Sequence, residues 1–115
     1  MALRGLHHLT AICQDLERTK AFYLGVLGLS VVSDRVSDDD PDARHLWIGF
    51  GDESDALISF LEYSDMEPGQ VGVGTTHHFA LLVDTAEEHE AWLEYLRDRG
   101  AVSYTHLTLP TKRIV

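Results

Sequence analysis

The sequence contains one short pattern twice, and this internal repeat limits the possible folds more than any other feature. Two adjacent histidines, His7 and His8, open an apolar run, and His77 and His78 open another 70 positions later. The following positions correspond closely, although the two aspartates are 69 apart: Asp15, Glu17, Ala21 and Phe22 match Asp84, Glu87, Ala91 and Trp92. A fixed period of this length is typical of a supersecondary unit that is used twice. We therefore expect two related modules.

The first copy has the pattern of a strand, a helix and three further strands. Positions 6–13 are apolar apart from the two histidines and Thr10, as expected of a buried strand, and Asp15 is placed to cap a helix that stops at Gly28. A hairpin turn is predicted at 51–55. Apolar or alternating runs predict the three later strands at positions 30–36, 44–50 and 56–63. The first module therefore covers residues 1–64.

The second copy repeats the beginning of this pattern and then departs from it. After a linker at 65–74, residues 75–101 supply a strand at 76–83 and a helix that begins with a capping box at Thr85. The three further strands that the repeat predicts do not follow. Residues 102–115 instead resemble the translation of a sequencing adapter. We expect a non-native tail and a second module truncated after its first strand and helix; the alternative is a genuine tail that adds one edge strand.

Composition and charge restrict the kind of partner. The chain has 115 residues, of which 44% are hydrophobic, and a formal net charge of −10 at pH 7. Nucleic acids and anionic membranes repel such a surface, so neither is expected as a partner. We expect no signal peptide and no membrane span, because no apolar run approaches the necessary length. Cys13 is the single cysteine, which excludes an internal disulfide and favours a cytoplasmic location.

Histidines at equivalent positions of both copies indicate metal binding. One such pair would more often be structural, with each imidazole bonded to a backbone carbonyl or half exposed. Core packing gives no reason to keep two polar residues twice, so the repeat favours the metal interpretation. Strand alternation places His8 on the same face as Thr10, and two related modules would bring His8 near His78. His45 and His89 have no such counterpart, and we expect both at the surface.

These features resemble the vicinal oxygen chelate superfamily, which includes glyoxalase I, extradiol dioxygenases and bleomycin or fosfomycin resistance proteins. The resemblance covers residues 5 to about 100 and rests on the histidine strands and on the runs at 15–18, 21–23, 26–29 and 78–84. It implies an α+β fold of paired βαβββ modules, the first complete and the second truncated. It also implies that His8 and His78 bind the metal. Around them, the substrate pocket or the support of the ligands would include His7, Thr10, Trp47, Ser59 and His77.

Within the superfamily, the sequence is similar to ring-cleaving dioxygenases of the hydroquinone type. The similarity lies in the runs at 39–41, 45–47 and 51–53. These enzymes use two histidines and one glutamate on iron(II) to cleave a dihydroxylated aromatic. Glyoxalase I-like members instead place a metal-binding glutamate in the fourth strand of the first module. The matching position here is Ser59, while Glu62 is expected to point to the opposite face.

The resemblance therefore implies a fragment of an iron(II) ring-cleaving dioxygenase, with Mn, Zn or Ni as alternative metals. The third ligand would be a glutamate late in the second module, a stretch that does not follow here, so we expect weak metal binding and no turnover. Two other functions remain open. One is a glyoxalase I-like lyase on a small carbonyl substrate, and the other is a metal-free protein that binds small molecules through Trp47, Phe60 and Tyr63. An unfilled second module would expose a sheet edge, which favours a homodimer.

Overall fold

The structure, a computed structural model, describes residues 1–51 and 57–100. It divides into two compact units, Met1–Pro68 and a second that begins at Gly69, and each is described by itself. Most of the predicted hairpin turn at 51–55 and the predicted non-native tail lie outside the described residues. Within the described part of the chain, no helix is both long and apolar enough to cross a membrane.

The first unit is built on a four-stranded mixed sheet. Its strands are β1 (His8–Cys13), β2 (Ser30–Val36), β3 (Arg44–Gly49) and β4 (Leu57–Glu62). They lie in the order β1-β4-β3-β2, with β1 parallel to β4 and the other neighbours antiparallel. The predicted succession of a strand, a helix and three strands is confirmed. The sheet and its helix give the predicted α+β architecture.

The helix between β1 and β2 begins at the predicted cap. The Arg18 N–H donates a hydrogen bond to Asp15 Oδ1 at 3.2 Å, and helix α1 covers Leu16–Lys20. The chain continues without a break as a π-helical segment, Ala21–Val26. Gly28 follows with φ +78°, a conformation that residues with a Cβ rarely adopt. The start and stop signals are confirmed, whereas the π-helical pitch is a feature that the residue spacing did not reveal.

The helix and one face of the sheet enclose the core of the first unit. Leu16 at the start of α1 and Leu46 and Ile48 on β3 are fully buried. Phe60 on β4 is also buried, and its ring centroid lies 4.8 Å from that of Tyr23. Because side chains alternate along a strand, burial of this set on one face turns the intervening residues to the other face. That second face carries four of the residues predicted for the site, His8, Thr10, Trp47 and Ser59.

In the second unit, helix α2 covers Ala86–Asp98, and Thr85 is its N-cap. The Glu88 N–H donates to Thr85 Oγ1 at 3.1 Å, as the predicted capping box requires. The Asp84 N–H donates to the Glu88 carboxylate at 3.3 Å. Thr85, not Asp84, is therefore the structural counterpart of Asp15, and these two caps lie 70 positions apart, as the histidines do. The spacing of 69 between Asp15 and Asp84 is therefore no exception, because the helix caps and the histidines of the two copies are all 70 positions apart.

The strand predicted at 76–83 in the second copy does not form as a regular strand. Only Ala80 makes a bridge, and no strand is assigned over these residues. Exposure nevertheless alternates over 78–83 in the same order as along β1, with the histidine exposed in both. A strand requires a neighbour for its backbone hydrogen bonds, and β1 finds one in β4. The described part of the second unit contains no equivalent of β4, so the prediction was wrong at this point.

Charged contacts join the first helix to the sheet. Lys20 Nζ lies 2.9 Å from Asp34 Oδ2 on β2. Arg44 on β3 lies 3.2 Å from the same oxygen and 3.2 Å from Glu17 Oε1. The hydrogen bond from Lys20, followed by that from Arg44, lowers the pKa of the Asp34 carboxyl. Asp34 is therefore the carboxylate on which this network centres.

Replacing Asp34 with Asn should destabilise the protein at neutral pH by at most about 1 kcal/mol, because the ion pairs are partly exposed. The folded state lowers the pKa of this carboxyl, so its contribution is present above the ordinary value of 3.8 and is lost as the pH falls through the folded pKa. Urea denaturation at several pH values from neutral to about pH 3 should show that the difference in unfolding free energy between the unmodified protein and Asp34→Asn becomes smaller as the pH falls. Asp65→Asn, in an exposed segment, is the control. A difference of equal size at every pH would contradict the assignment.

Candidate functional site

The two adjacent histidines of each copy adopt the same geometry. His7 Nδ1 and His8 Nδ1 are 2.9 Å apart, and the rings meet edge to face with centroids 5.1 Å apart. For His77 and His78 the corresponding distances are 2.7 Å and 5.0 Å. The interplanar angles of the two pairs are 81° and 82°. The repeat in the sequence is therefore also a repeat in side-chain structure.

Each contact between Nδ1 atoms is a hydrogen bond in which one imidazole donates and the other accepts. When His8 donates to His7, the Nε2 atom of His8 keeps its lone pair and can bind a metal ion. Histidine ligands commonly have their second ring nitrogen hydrogen-bonded in this way, which fixes the tautomer and the ring orientation. His8 and His78 therefore fit the chemistry of metal ligands, and His7 and His77 fit the role of holding them.

Three of the predicted pocket residues of the first unit, Thr10, Trp47 and Ser59, lie in one row across the sheet, whereas His7 precedes β1 and lies outside that row. The strand register places Thr10 beside Ser59, and Ser59 beside Trp47. Thr10 Oγ1 and Ser59 Oγ are 2.7 Å apart. His8 lies on the same face as Thr10, since residues two apart in a strand point to the same side. We call this surface, formed by His8, Thr10, His45, Trp47 and Ser59, the histidine face.

Aromatic rings form one wall of the histidine face. The Trp47 ring contacts the His8 ring, with centroids 4.6 Å apart and an interplanar angle of 65°. The His45 ring lies on Trp47 as well, with centroids 4.8 Å apart and an angle of 40°. Trp47 is half-buried, so part of its ring remains accessible from the face. This wall offers ring surfaces of the kind that aromatic ligands contact.

His45 belongs to this site, which corrects the expectation that it is an isolated surface residue. It is half-buried, and its Nε2 atom lies 2.9 Å from Ser59 Oγ. Burial, followed by the proximity of His8, lowers the pKa of its imidazole below the usual 6.5. A signal for this placement was present in the sequence, because His45 precedes Trp47 by two positions and therefore shares its face.

Ser59 and Glu62 occupy opposite faces of β4. Ser59 is fully buried and contacts the side chains of the histidine face. The Leu16 N–H donates a hydrogen bond to Glu62 Oε2 at 2.6 Å, so the Glu62 carboxylate lies at the start of α1. The prediction that Glu62 points away from Ser59 is confirmed. Glu62 accepts a hydrogen bond from the Leu16 N–H, which has no partner within the helix, and is not part of the histidine face.

The described residues do not contain a complete metal site. Within 1–51 and 57–100, no group of three His, Cys, Asp or Glu side chains could hold a metal ion. His8 and His78 belong to different compact units, so their convergence stays a prediction. Each copy taken by itself offers one histidine pair with the chemistry of a metal ligand.

Sequence comparison identifies relatives of known class. Residues 5–109 match the sequence model of the family described as the Glyoxalase/Bleomycin resistance protein/Dioxygenase superfamily. Two similar proteins of Bacillus subtilis carry provisional names as ring-cleaving dioxygenases. MhqE is 35% identical over 102 residues, which are 87% of this chain and 33% of MhqE. MhqO is 38% identical over 71 residues, which are 61% of this chain and 23% of MhqO. The chain therefore spans about a quarter to a third of the length of these relatives.

Similar solved structures share the fold. A crystal structure of a protein provisionally named a dioxygenase, from Bacillus subtilis, has 30% identity and a TM-score of 0.73, and the match covers 84% of this chain and 31% of that protein. The fosfomycin resistance protein FosX of Listeria monocytogenes, solved with Mn(II) and 1S,2S-dihydroxypropylphosphonic acid, has 19% identity and a TM-score of 0.62. That match covers 86% of this chain and 71% of FosX. At this identity the likeness to FosX shows the fold alone.

Replacing Glu62 with Ala should lower the stability of the protein by roughly 2 kcal/mol, because the Leu16 N–H loses a charged acceptor. In a longer protein with a complete second module, the affinity for zinc should not change, since the carboxylate lies on the helix side of the sheet. Glu62→Gln keeps an acceptor oxygen and should recover part of the stability. Thermal unfolding and zinc titration measure the two effects separately. Weaker zinc binding by a folded Glu62→Ala variant would contradict this assignment and favour a lyase.

Proposed function

The chain belongs to the Glyoxalase/Bleomycin resistance protein/Dioxygenase superfamily, and from this membership we propose that it is part of a metal-dependent ring-cleaving dioxygenase. The proposed substrate is a small dihydroxylated aromatic, opened by extradiol-type cleavage. The names of the Bacillus subtilis relatives support the reaction class. Because the chain spans only a fraction of those relatives, the activity is proposed for a longer protein that contains these residues.

One observation carries the proposal more than any other. The adjacent histidines form the same hydrogen-bonded pair in both copies, His7 with His8 and His77 with His78. A structural histidine needs only a backbone partner, whereas a metal ligand needs a defined tautomer and a fixed ring. The pair supplies both, and its repetition supplies one such imidazole from each copy.

In the proposed site, His8 and His78 would hold the metal together with a carboxylate from outside the described residues. Iron(II) is the first choice, with Mn, Zn and Ni as alternatives. When bound, the metal would supply a Lewis acid with open coordination positions for the substrate and for oxygen.

The remaining residues of the histidine face would bind and orient the substrate. Trp47 would pack against the aromatic ring, and the Thr10 hydroxyl would contact a substrate hydroxyl. His7 would keep the Nδ1 proton on His8 by accepting its hydrogen bond. Ser59 has no carboxylate and is fully buried, so the histidine face gives no support to a glyoxalase I-like ligand at that position.

A metal-free binding protein is the second candidate, because the aromatic wall is formed by protein side chains alone. Trp47 lies against both His8 and His45, so these rings could contact an aromatic ligand directly. Under either function we propose a cytoplasmic location, a homodimer, and no nucleic-acid or membrane partner. The net charge of −10 supports the last point.

Titration with iron(II) and zinc tests the metal site in this chain and in a longer protein with a complete second module. We expect weak binding to this chain and tight binding to the longer protein. In the longer protein, His8→Ala and His78→Ala should each weaken binding more than about 100-fold, because loss of a ligand should exceed the loss of a supporting group. His89→Ala, on α2, is the matched control. Absence of binding in the longer protein would favour the metal-free function.

Replacing His7 with Ala tests the role of the paired imidazole. His8 would lose the acceptor that fixes its tautomer, and metal affinity in the longer protein should fall by about 10- to 100-fold. His7→Gln, which offers an acceptor oxygen, should recover part of the loss. The same titration measures both variants. An unchanged affinity in His7→Ala would show that the pair does not support the ligand.

A further inference from the structure

Three polar side chains from three neighbouring strands form a continuous line across the histidine face. His45 Nε2 on β3 lies 2.9 Å from Ser59 Oγ on β4. Ser59 Oγ lies 2.7 Å from Thr10 Oγ1 on β1. Both distances are those of hydrogen bonds. The line therefore connects an imidazole nitrogen to a hydroxyl on the far side of a buried serine.

The burial of Ser59 couples the two hydrogen bonds. Ser59 is fully buried, and a buried hydroxyl without a hydrogen bond is costly. Its single proton must therefore go to Thr10 or to His45, while its oxygen accepts from the other. When the direction of one bond reverses, the other must reverse with it. Such a line can pass a proton from one end to the other.

The two ends of the line differ in their surroundings. Thr10 is exposed and lies two residues from His8 on the same face of β1. A ligand at the histidine face can therefore reach the Thr10 hydroxyl. His45 is half-buried at the other end. The line thus begins where a ligand would bind and ends at a titratable group.

We propose that Thr10, Ser59 and His45 form a proton relay for a phenolic ligand bound at the histidine face. The ligand O–H gives its proton to Thr10 Oγ1, Thr10 gives its own to Ser59 Oγ, and Ser59 gives its own to His45 Nε2. The products are a phenolate and an imidazolium, and no oxidant or reductant is needed. The inference deepens the proposed function, because it names the group that takes the proton of a phenolic substrate. His45 does not touch the ligand and acts on it only through the hydroxyls of Ser59 and Thr10.

The groups around His45 act on its imidazole in both directions. Burial and the neighbouring His8 lower its pKa, which keeps the imidazole neutral at neutral pH and also makes it a weaker base. Arg35, opposite His45 on β2, acts in the same direction as His8. Asp38 and Asp39, in the segment after β2, act in the opposite direction. The phenolate that forms at the far end of the relay would add a further negative charge, which acts in the same direction as Asp38 and Asp39 and favours the imidazolium.

The test uses 4-nitrophenol and the full chain without metal, because the absorbance of this probe reports its ionisation. The apparent pKa of the bound probe should be lower than that of the free probe by about one unit, or roughly tenfold in ionisation constant. Ser59→Ala and His45→Gln should still bind the probe but lose this shift. Thr10→Val, which keeps the branched shape without the hydroxyl, should lose it as well. His89→Gln is the matched control and should keep it.

The outcomes separate the relay from the proposed function. A shift that persists in Ser59→Ala and His45→Gln would overturn the relay, and so would failure of the unmodified chain to bind the probe. Circular dichroism of each variant checks that the fold is intact, and Thr10→Val decides the matter if Ser59→Ala does not fold. Because no metal is present, loss of the shift in the variants together with failed metal titrations would sink the dioxygenase proposal and leave the relay standing.

Discussion

The parallel pairing of β1 with β4 is the contact on which the rest of the first unit depends. It joins the beginning of the module to its end, since Thr10 and Ser59 are 49 positions apart and lie side by side. Their register brings His8 onto the same surface as Trp47. A slip of one residue would turn every side chain of β1 to the other face and bury His8 against the core. The register of this one pairing therefore decides whether the histidine face exists.

The same strands serve the core and the site because their faces alternate. On β4, Phe60 is buried beneath the helix while Ser59 faces the histidine side. Glu62 reinforces this division, since its carboxylate holds the Leu16 N–H at the start of α1 and so ties the helix to the end of β4. Packing of the helix and pairing of the strands thus stabilise each other. The hydrogen-bonded side chains of Thr10, Ser59 and His45 therefore lie on strands that the helix holds in place from the opposite face of the sheet.

The second unit shows which features depend on adjacent residues and which depend on distant segments of the chain. His77 and His78 adopt the geometry of His7 and His8, although residues 76–83 form no regular strand. The imidazole pair therefore forms without a regular strand. The strand itself is not local, because it needs a neighbour with free backbone groups. The two copies therefore share the histidine pair, which forms between adjacent residues. They differ in the regular strand, which requires a neighbouring strand.

The sequence by itself determined the elements of the first unit, the caps of both helices and the repeated histidines. These features depend on residues within one turn or one pleat of each other, as Asp15 with Arg18 and Thr85 with Glu88 show. Only the tertiary structure decided that β1 runs parallel to β4 and that His45 joins Ser59 at the site. The physical reason is that cross-strand pairing depends on how distant segments pack together, and no local pattern of residues carries that information.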